Sequence, residues 1–147
     1  THGGSIRVFG CHMEHECSIN TAVEDLLFEE KESGLQSLDL YLKFQEKADK
    51  VKDDFLLFLL EQKKAGHKVA AYGAAAKGNT LLNYAGVKPD LLSFVCDAAL
   101  AKQRKYMPGS HIPILPPEEL FVSKLDYIVI LPWNIAAEVK EQNAALV

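Results

Sequence analysis

The alternation of short apolar runs with short helical segments after residue 67 is the feature that most restricts the fold. Four runs rich in apolar and β-branched residues are predicted strands: Lys68–Tyr72, Leu92–Cys96, Ile112–Leu115 and Tyr127–Leu131. Three segments between or after them are predicted helices: 78–85, 117–122 and 135–144. Such alternation is typical of βαβ units, and right-handed crossovers give the strand order 3-2-1-4. The sequence therefore predicts an α/β, Rossmann-like three-layer domain with a mainly parallel sheet.

A long amphipathic helix is expected before the predicted sheet. Ser33 and Gln36 have the spacing of a capping box, and apolar residues recur every three or four positions from Leu38 to Phe58. Gly66 stands where a left-handed C-cap would end the helix. The pattern predicts one helix over about residues 35–65.

The first 33 residues have a different character. Ser5–Phe9 alternates polar and apolar side chains, which predicts a short strand. Residues 11–33 are polar and acidic, and they are interpreted as a loop, a weak helix and a linker. We therefore expect residues 1–33 to end a preceding domain, and residues 34–147 to form the Rossmann-like one.

Composition limits the classes of function. A chain of 147 residues fits one compact domain, and its net charge of -4 argues against a nucleic-acid partner. The longest apolar run, Phe55–Leu60, is far shorter than the ~20 residues that span a bilayer, so no membrane partner is expected. Three cysteines form no disulfide framework and the first residues lack a secretion signal, so a cytoplasmic location is expected.

A loop of glycine and alanine between a predicted strand and a predicted helix carries the clearest functional indication. Its Gly73-x-Ala75-x-x-Gly78 spacing is a degenerate form of the dinucleotide-binding pattern. Small side chains permit close backbone approach, and the free N–H groups of a helix start attract anions. Asp97, after the next strand, is expected to accept a hydrogen bond from a ribose hydroxyl. The alternative is structural: the loop only allows close packing, and Lys77 is a solvated charge.

Two further segments follow predicted strands at the same edge of the sheet. Lys102–His111 offers three cations for a diphosphate and Tyr106 for stacking on a base or sugar. Pro132, Trp133 and Asn134 offer an aromatic face and an amide. A ligand crevice is therefore expected between the glycine/alanine loop and a rim formed by Tyr106, Trp133 and Asn134. The structural alternatives are that Lys102–His111 is only a solvated loop, that Asn134 caps a helix and that Trp133 packs in the core.

The segment Cys11–Cys17 places several potential metal ligands within a few residues. Zinc sites usually combine two ligand pairs, and the sequence offers no second pair of cysteines or histidines. No metal site is therefore expected. Hydrolase motifs such as Gly-x-Ser-x-Gly are also absent, so no catalytic residue is assigned in this chain.

Three blocks of the sequence, in this order, are Ala71–Tyr84, Lys102–Pro113 and Ile130–Asn134. Together they resemble the carboxy-terminal domain of bacterial sugar C-methyltransferases. His2–Val8 resembles the strand that ends the methyltransferase domain of that family, so the likeness covers nearly the whole chain. The family transfers a methyl group from S-adenosylmethionine (SAM) to C3 of a TDP-linked keto-deoxysugar.

The resemblance implies a protein of three parts, in which this chain follows a zinc-binding domain and a SAM-binding domain. SAM, the structural zinc and the acid/base residues are then expected upstream of Thr1, with neither cofactor in this chain. The SAM-binding domain of the same polypeptide and a TDP-sugar are the expected partners. The combined predictions give a substrate-binding site of these residues: Gly73, Ala74, Ala75, Ala76, Lys77, Gly78, Asn79, Asp97, Tyr106, His111, Trp133 and Asn134.

The sequence departs from the family at two places. Ala98–Leu100 stands where the family has Arg-Asn-Pro, and Arg104 lies where the family has a nearby glycine. The family also continues past Val147 into a further strand. Two alternative functions stay open from the residues alone: an independent dinucleotide-binding module of the NAD type, and a structural or dimerisation domain.

Overall fold

The computed structural model describes residues 5–15 and 20–146. The described chain separates into two compact units, with the division between Lys50 and Val51. This division falls within a helix, and the domain boundary expected after residue 33 stays a prediction.

The first unit is helical. It contains α1 (Ala22–Glu32), α2 (Leu38–Leu42) and the beginning of α3 (Phe44–Lys64). The long helix predicted before the sheet is confirmed as α3. Its predicted beginning near residue 35 is wrong, because Lys43 ends α2 before α3 begins at Phe44.

The predicted capping box of Ser33 and Gln36 is also wrong. Ser33 is the C-cap of α1, and Gly34 follows it with a φ of 78°, which ends that helix. The N-cap of α2 is Ser37, whose side chain accepts a hydrogen bond from the Asp39 N–H at 3.3 Å.

The strand predicted for Ser5–Phe9 is not formed. Residues 5–10 have no ladder partner among the described residues, and Ile6, Val8 and Phe9 are exposed. A single short run cannot satisfy its backbone groups without a neighbouring strand, so alternation alone did not suffice here.

The second unit contains a parallel sheet. Its four described strands are β1 (Val69–Tyr72), β2 (Val95–Cys96), β3 (Ile114–Leu115) and β4 (Tyr127–Ile130). Their order is β3-β2-β1-β4, and every pairing is parallel. The helices are the second part of α3, α4 (Ala76–Tyr84), α5 (Glu119–Val122) and α6 (Ala136–Gln142), with 3-10 turns at Trp133–Ile135 and Ala144–Leu146. The predicted α/β class and strand order are confirmed.

Several strands and helices begin or end at other residues than predicted. Leu92 and Ile112 are fully buried but lie outside the ladders, because their backbone groups are used in turns: the Leu92 N–H donates to Lys88 and the Ile112 carbonyl accepts from Met107. The helix expected from residue 78 begins earlier, at Ala76. The helices expected over 117–122 and 135–144 are limited to α5 and α6.

The sheet has an apolar cluster on each face. One cluster joins Leu59 of α3 and Leu82 of α4 to strand residues such as Ala71 and Val95. The other joins Leu120 of α5 to residues that alternate with these, including Ala70, Phe94 and Cys96. The alternation follows from the two-residue period of a strand, and it produces the predicted three layers.

Within residues 5–15 and 20–146, no helix is long and apolar enough to cross a membrane.

Candidate functional site

The loop between β1 and α4 leaves the sheet through Gly73. The Gly73 N–H donates to the Cys96 carbonyl at 2.7 Å, and the Ala75 N–H donates to the Gly73 carbonyl at 2.8 Å. Ala75 is extended and acts as the N-cap of α4, but it has no side-chain oxygen to cap the helix. The first N–H groups of α4 are therefore left without a side-chain cap, which favours an anion or another acceptor there.

Packing requires Gly73 of this loop and Gly78 in the first turn of α4. Gly73 has a φ of 89°, and a Cβ there would lie 2.5 Å from Cδ of Pro132. A Cβ on Gly78 would lie 2.6 Å from Cβ of Leu131. Both glycines thus allow close approach of the segment after β4, in agreement with the structural interpretation of these two positions.

Asp97 ties the loop to the segment that follows β2. Its Oδ2 accepts hydrogen bonds from the Ala74 N–H at 2.8 Å and from Lys102 Nζ at 3.0 Å, and its Oδ1 accepts from the Ala99 N–H at 2.8 Å. The residue is only 8% exposed. Most of its acceptor capacity is therefore used within the protein.

Lys102 continues this network at the surface. Its Nζ also donates to the Ala74 carbonyl at 3.0 Å, and the side chain of Gln103 donates to the Asp97 carbonyl at 2.9 Å. A lysine ammonium has three donors, so one N–H of Lys102 is left beyond these two bonds.

The loop between β2 and β3 is held against α4 by side chains of the helix and of the turn after it. Asn83 Nδ2 donates to the Asn79 carbonyl at 2.8 Å and to the Pro108 carbonyl at 2.9 Å. Lys88 Nζ donates to the Gly109 carbonyl at 2.8 Å. These bonds fix the Pro-Gly turn against the last turn of α4 and the segment that follows it.

Two residues of the same loop have unusual backbone conformations. Arg104 and His111 both have a φ of 60°, which disfavours side chains other than glycine. Backbone hydrogen bonds hold them there: the Arg104 N–H donates to the Ile114 carbonyl and the His111 N–H to the Met107 carbonyl. The structure thus places Arg104 at a position suited to glycine.

An open cleft of about 640 Å³ lies between the loop before α4 and the loop between β2 and β3, at the carboxyl ends of β1 and β2. Its lining is mostly apolar and small: Ala74, Ala75, Ala76, Ala101, Met107, Pro108 and Ile114. Tyr106, 66% exposed, adds an aromatic ring, and Asn79, Lys102 and Lys105 add polar groups. The cleft therefore combines an apolar floor, one amide and two cations, which suits a flat ligand with an anionic part.

A family profile described as the C-methyltransferase C-terminal domain matches residues 1–147. The chain belongs to this family. C-methyltransferase NovU from Streptomyces niveus is 34% identical to it over 138 residues, which are 94% of the chain and 33% of NovU. The chain thus spans about a third of the length of that relative, and the resemblance found from the sequence blocks is confirmed.

Five of the predicted site residues line this cleft of the C-methyltransferase C-terminal domain: Ala74, Ala75, Ala76, Asn79 and Tyr106. Gly73, Gly78 and Asp97 are buried beside it, with the partners given above. Lys77 and His111 are exposed and do not line the cleft. The binding roles of all these residues stay predictions.

Trp133 and Asn134, which were expected to form part of the rim, do not line the cleft. They belong to a 3-10 turn after Pro132, whose ring stands next to Gly73. The opposite wall is formed instead by the loop from Ala101 to Pro108. Sequence reasoning did not assign Lys102 or Lys105 to the site, although their loop was expected to hold a diphosphate.

A second cavity of the C-methyltransferase C-terminal domain, about 230 Å³, lies beside β4 and α6. Its lining includes Leu120, Ile128, Val139 and Asp126. The Asp126 carboxylate accepts a hydrogen bond from the Lys68 N–H at 2.8 Å, so this acidic group has a structural partner.

Among the described residues, no group of three histidine, cysteine, aspartate or glutamate side chains could hold a metal ion. Glu16 and Cys17 of the cysteine/histidine segment lie outside the described residues. The expected absence of a metal from this segment stays a prediction.

Proposed function

We propose that this domain binds the nucleotide-sugar substrate of a SAM-dependent C-methyltransferase, with a TDP-linked keto-deoxysugar as the substrate class. The observation that supports this most directly is the cleft at the carboxyl ends of β1 and β2. In open α/β sheets, ligands usually bind at this edge, and its uncapped helix start and two lysines suit a diphosphate.

The chemistry of the cleft fits each part of such a ligand. A diphosphate is negatively charged and accepts hydrogen bonds, and Lys102 and Lys105 supply positively charged donors. The exposed ring of Tyr106 offers a face for a base or sugar, and the alanine lining lets the ligand approach the backbone.

We further propose that SAM and the catalytic acid/base groups are supplied by another part of the methyltransferase. SAM recognition in a cleft of this type would use an acidic residue for the ribose hydroxyls. Asp97 holds that position, but it accepts three hydrogen bonds from Ala74, Ala99 and Lys102. This use of the Asp97 carboxylate within the protein supports the proposal that SAM binds elsewhere. The same observation argues against the alternative of an NAD-binding module.

Titration calorimetry of the chain with TDP, NAD and SAM tests the proposal. We expect saturable binding of TDP and no saturable binding of NAD or SAM. Lys105→Met removes a charge while keeping an alkyl chain, and it should weaken TDP binding about tenfold or more, as for a charge-assisted hydrogen bond. Lys124→Met changes an exposed lysine that does not line the cleft, and it should leave the Kd unchanged.

Selective binding of NAD or SAM, or equal effects of the two lysine substitutions, would contradict the proposal. In a methyltransferase that carries this domain, Lys105→Met should raise the KM for the sugar nucleotide and leave the KM for SAM unchanged. An equal rise in both KM values would favour a structural role for the cleft.

A further inference from the structure

The side-chain amide of Asn79 is a polar group of the cleft whose oxygen is not used by the fold. Its Oδ1 is buried, and no described residue donates a hydrogen bond to it. The backbone of Asn79 is fully used: its N–H donates to the Ala75 carbonyl and its carbonyl accepts from Asn83. A buried acceptor without a donor destabilises the free protein, so its retention in a cleft wall indicates a ligand.

The missing partner must be a donor. Phosphate oxygens accept hydrogen bonds, and they would be served by Lys102 and Lys105 rather than by a carbonyl oxygen. The part of the ligand that reaches Asn79 therefore carries an N–H or O–H group.

The walls around Asn79 favour a base over a sugar. They consist of alanines together with Met107, Pro108 and the ring of Tyr106. A pyranose has hydroxyl groups around its ring, and many of them would lose water without gaining a partner in such a cleft. A nucleobase has two apolar faces and places all its polar groups on its edge, so it can fill the cleft and meet an amide edge-on.

The amide of asparagine matches one kind of base edge. It carries an acceptor and a donor side by side, and an imide carries a ring N–H beside a carbonyl. Rotation about the terminal torsion of asparagine is broad, so the amide can turn to present both atoms to the ligand.

We propose that Asn79 recognises the imide edge of a uracil or thymine base: Oδ1 accepts from the ring N–H, and Nδ2 donates to the adjacent carbonyl. This inference rests on the proposed nucleotide-sugar function and assigns the base-reading residue of that site. It places the base between Asn79 and Tyr106, with the diphosphate toward the start of α4 and the two lysines.

The test compares three probes by calorimetry: TDP, the analogue of TDP methylated at N3 of the base, and inorganic pyrophosphate. The methylated analogue lacks only the ring N–H. We expect the chain to bind TDP about tenfold or more tightly than the analogue, as for one hydrogen bond at a buried acceptor. Asn79→Leu keeps nearly the same volume, so any steric effect of the methyl group persists in the variant.

In Asn79→Leu, the affinity for TDP should fall to that for the methylated analogue, while pyrophosphate binding should not change. The variant without ligand should be at least as stable as the parent chain, because a buried unpaired oxygen is removed, and this shows that the fold is intact. Asn143→Leu is the control, since Asn143 lies outside the cleft. This variant loses the hydrogen bond from Asn143 to the Val139 carbonyl, but it should keep the preference for TDP over the methylated analogue.

A preference for TDP that persists in Asn79→Leu would overturn the inference and leave the nucleotide-sugar function intact. Equal weakening of all three probes would also overturn it, because Asn79 would then act on the whole cleft. Failure of the parent chain to bind any nucleotide would refute the proposed function itself.

Discussion

The Asp97 carboxylate accepts a hydrogen bond from the Ala74 N–H at 2.8 Å. This bond fixes the loop before α4 to the end of β2, and the Ala99 N–H and Lys102 Nζ complete the set of donors. The contact of Asp97 with a ribose stays a prediction, and within the protein its carboxylate connects these two segments. Removing it therefore tests how far the cleft depends on this connection.

Asp97→Ala should lower the free energy of unfolding by roughly 2–4 kcal/mol, because two backbone N–H groups lose their acceptor at a mostly buried position. Lys102→Ala removes one exposed partner of the same carboxylate, and its cost should stay below about 1 kcal/mol. Urea denaturation of both variants measures the difference. Similar losses in the two would mean that the ion pair, rather than the backbone bonds, holds the loop.

Gly78→Ala should destabilise the chain although alanine favours helices. The added Cβ would lie 2.6 Å from Cβ of Leu131, an atom that cannot move without the backbone. Overpacking of this kind exceeds the helix gain of about 1 kcal/mol, and we expect a net loss of about 1–2 kcal/mol in urea denaturation. Gly10→Ala is the control, since a Cβ there meets no atom within 4 Å. A stabilised Gly78→Ala variant would show that the contact is easily relieved.

Arg104→Gly should stabilise the chain. Arg104 has a φ of 60°, and a non-glycine residue in this conformation costs about 1–2 kcal/mol. Glycine also raises the conformational entropy of the unfolded chain, and this offsets part of the gain from relieved strain. We therefore expect a net increase of about 0.5–1 kcal/mol in the free energy of unfolding. Lys105→Gly, at the next exposed position and without a positive φ, should instead lose about 0.5–1 kcal/mol. Losses in both variants would contradict strain at Arg104.

The Cys96 thiol should make stability depend on alkaline pH. Burial, together with the charges of Glu119 and Glu118, raises the pKa of this thiol to about 12, and its Sγ donates to the Pro116 carbonyl. The pKa of a cysteine thiol in an unfolded chain is about 8.5. The unfolded state therefore loses this proton first, and the stability from the protonated thiol is complete below that pH and declines as the pH rises toward 12.

Urea denaturation from neutral pH to pH 10.5 checks this for the parent chain and for Cys96→Ala. The stability advantage of the parent should narrow as the pH rises above about 8.5. Other alkaline titrations occur in both proteins and cancel in the comparison. A difference that stays constant over this range would contradict the assignment.

The order of the sheet was predictable because each strand is a short apolar run between turns, and right-handed crossovers leave few arrangements. Gly66 also ends α3 with a φ of 78°, as its position predicted. The site was less predictable. Spacing placed Asp97 near the loop, but not the Ala74, Ala99 and Lys102 donors that use its carboxylate. These contacts depend on how three segments fold together.

The same limit explains the rim of the cleft. Trp133 follows β4 at the expected edge of the sheet, but Pro132 packs over Gly73 and the turn after it does not line the cleft. The actual wall depends on Asn83 and Lys88, which hold the Pro108–Gly109 turn. No local pattern in the sequence indicates such bonds between distant segments.

The bonds from Asn83 and Lys88 to the Pro-Gly turn also have a kinetic meaning. Both walls of the cleft are fixed before a ligand enters, so association needs little ordering of the chain. Changes in single contacts should then leave the association rate nearly constant and alter the time for which a ligand stays bound. Loosening the turn, as in Asn83→Ala, should instead slow association, because the wall would have to form during the encounter.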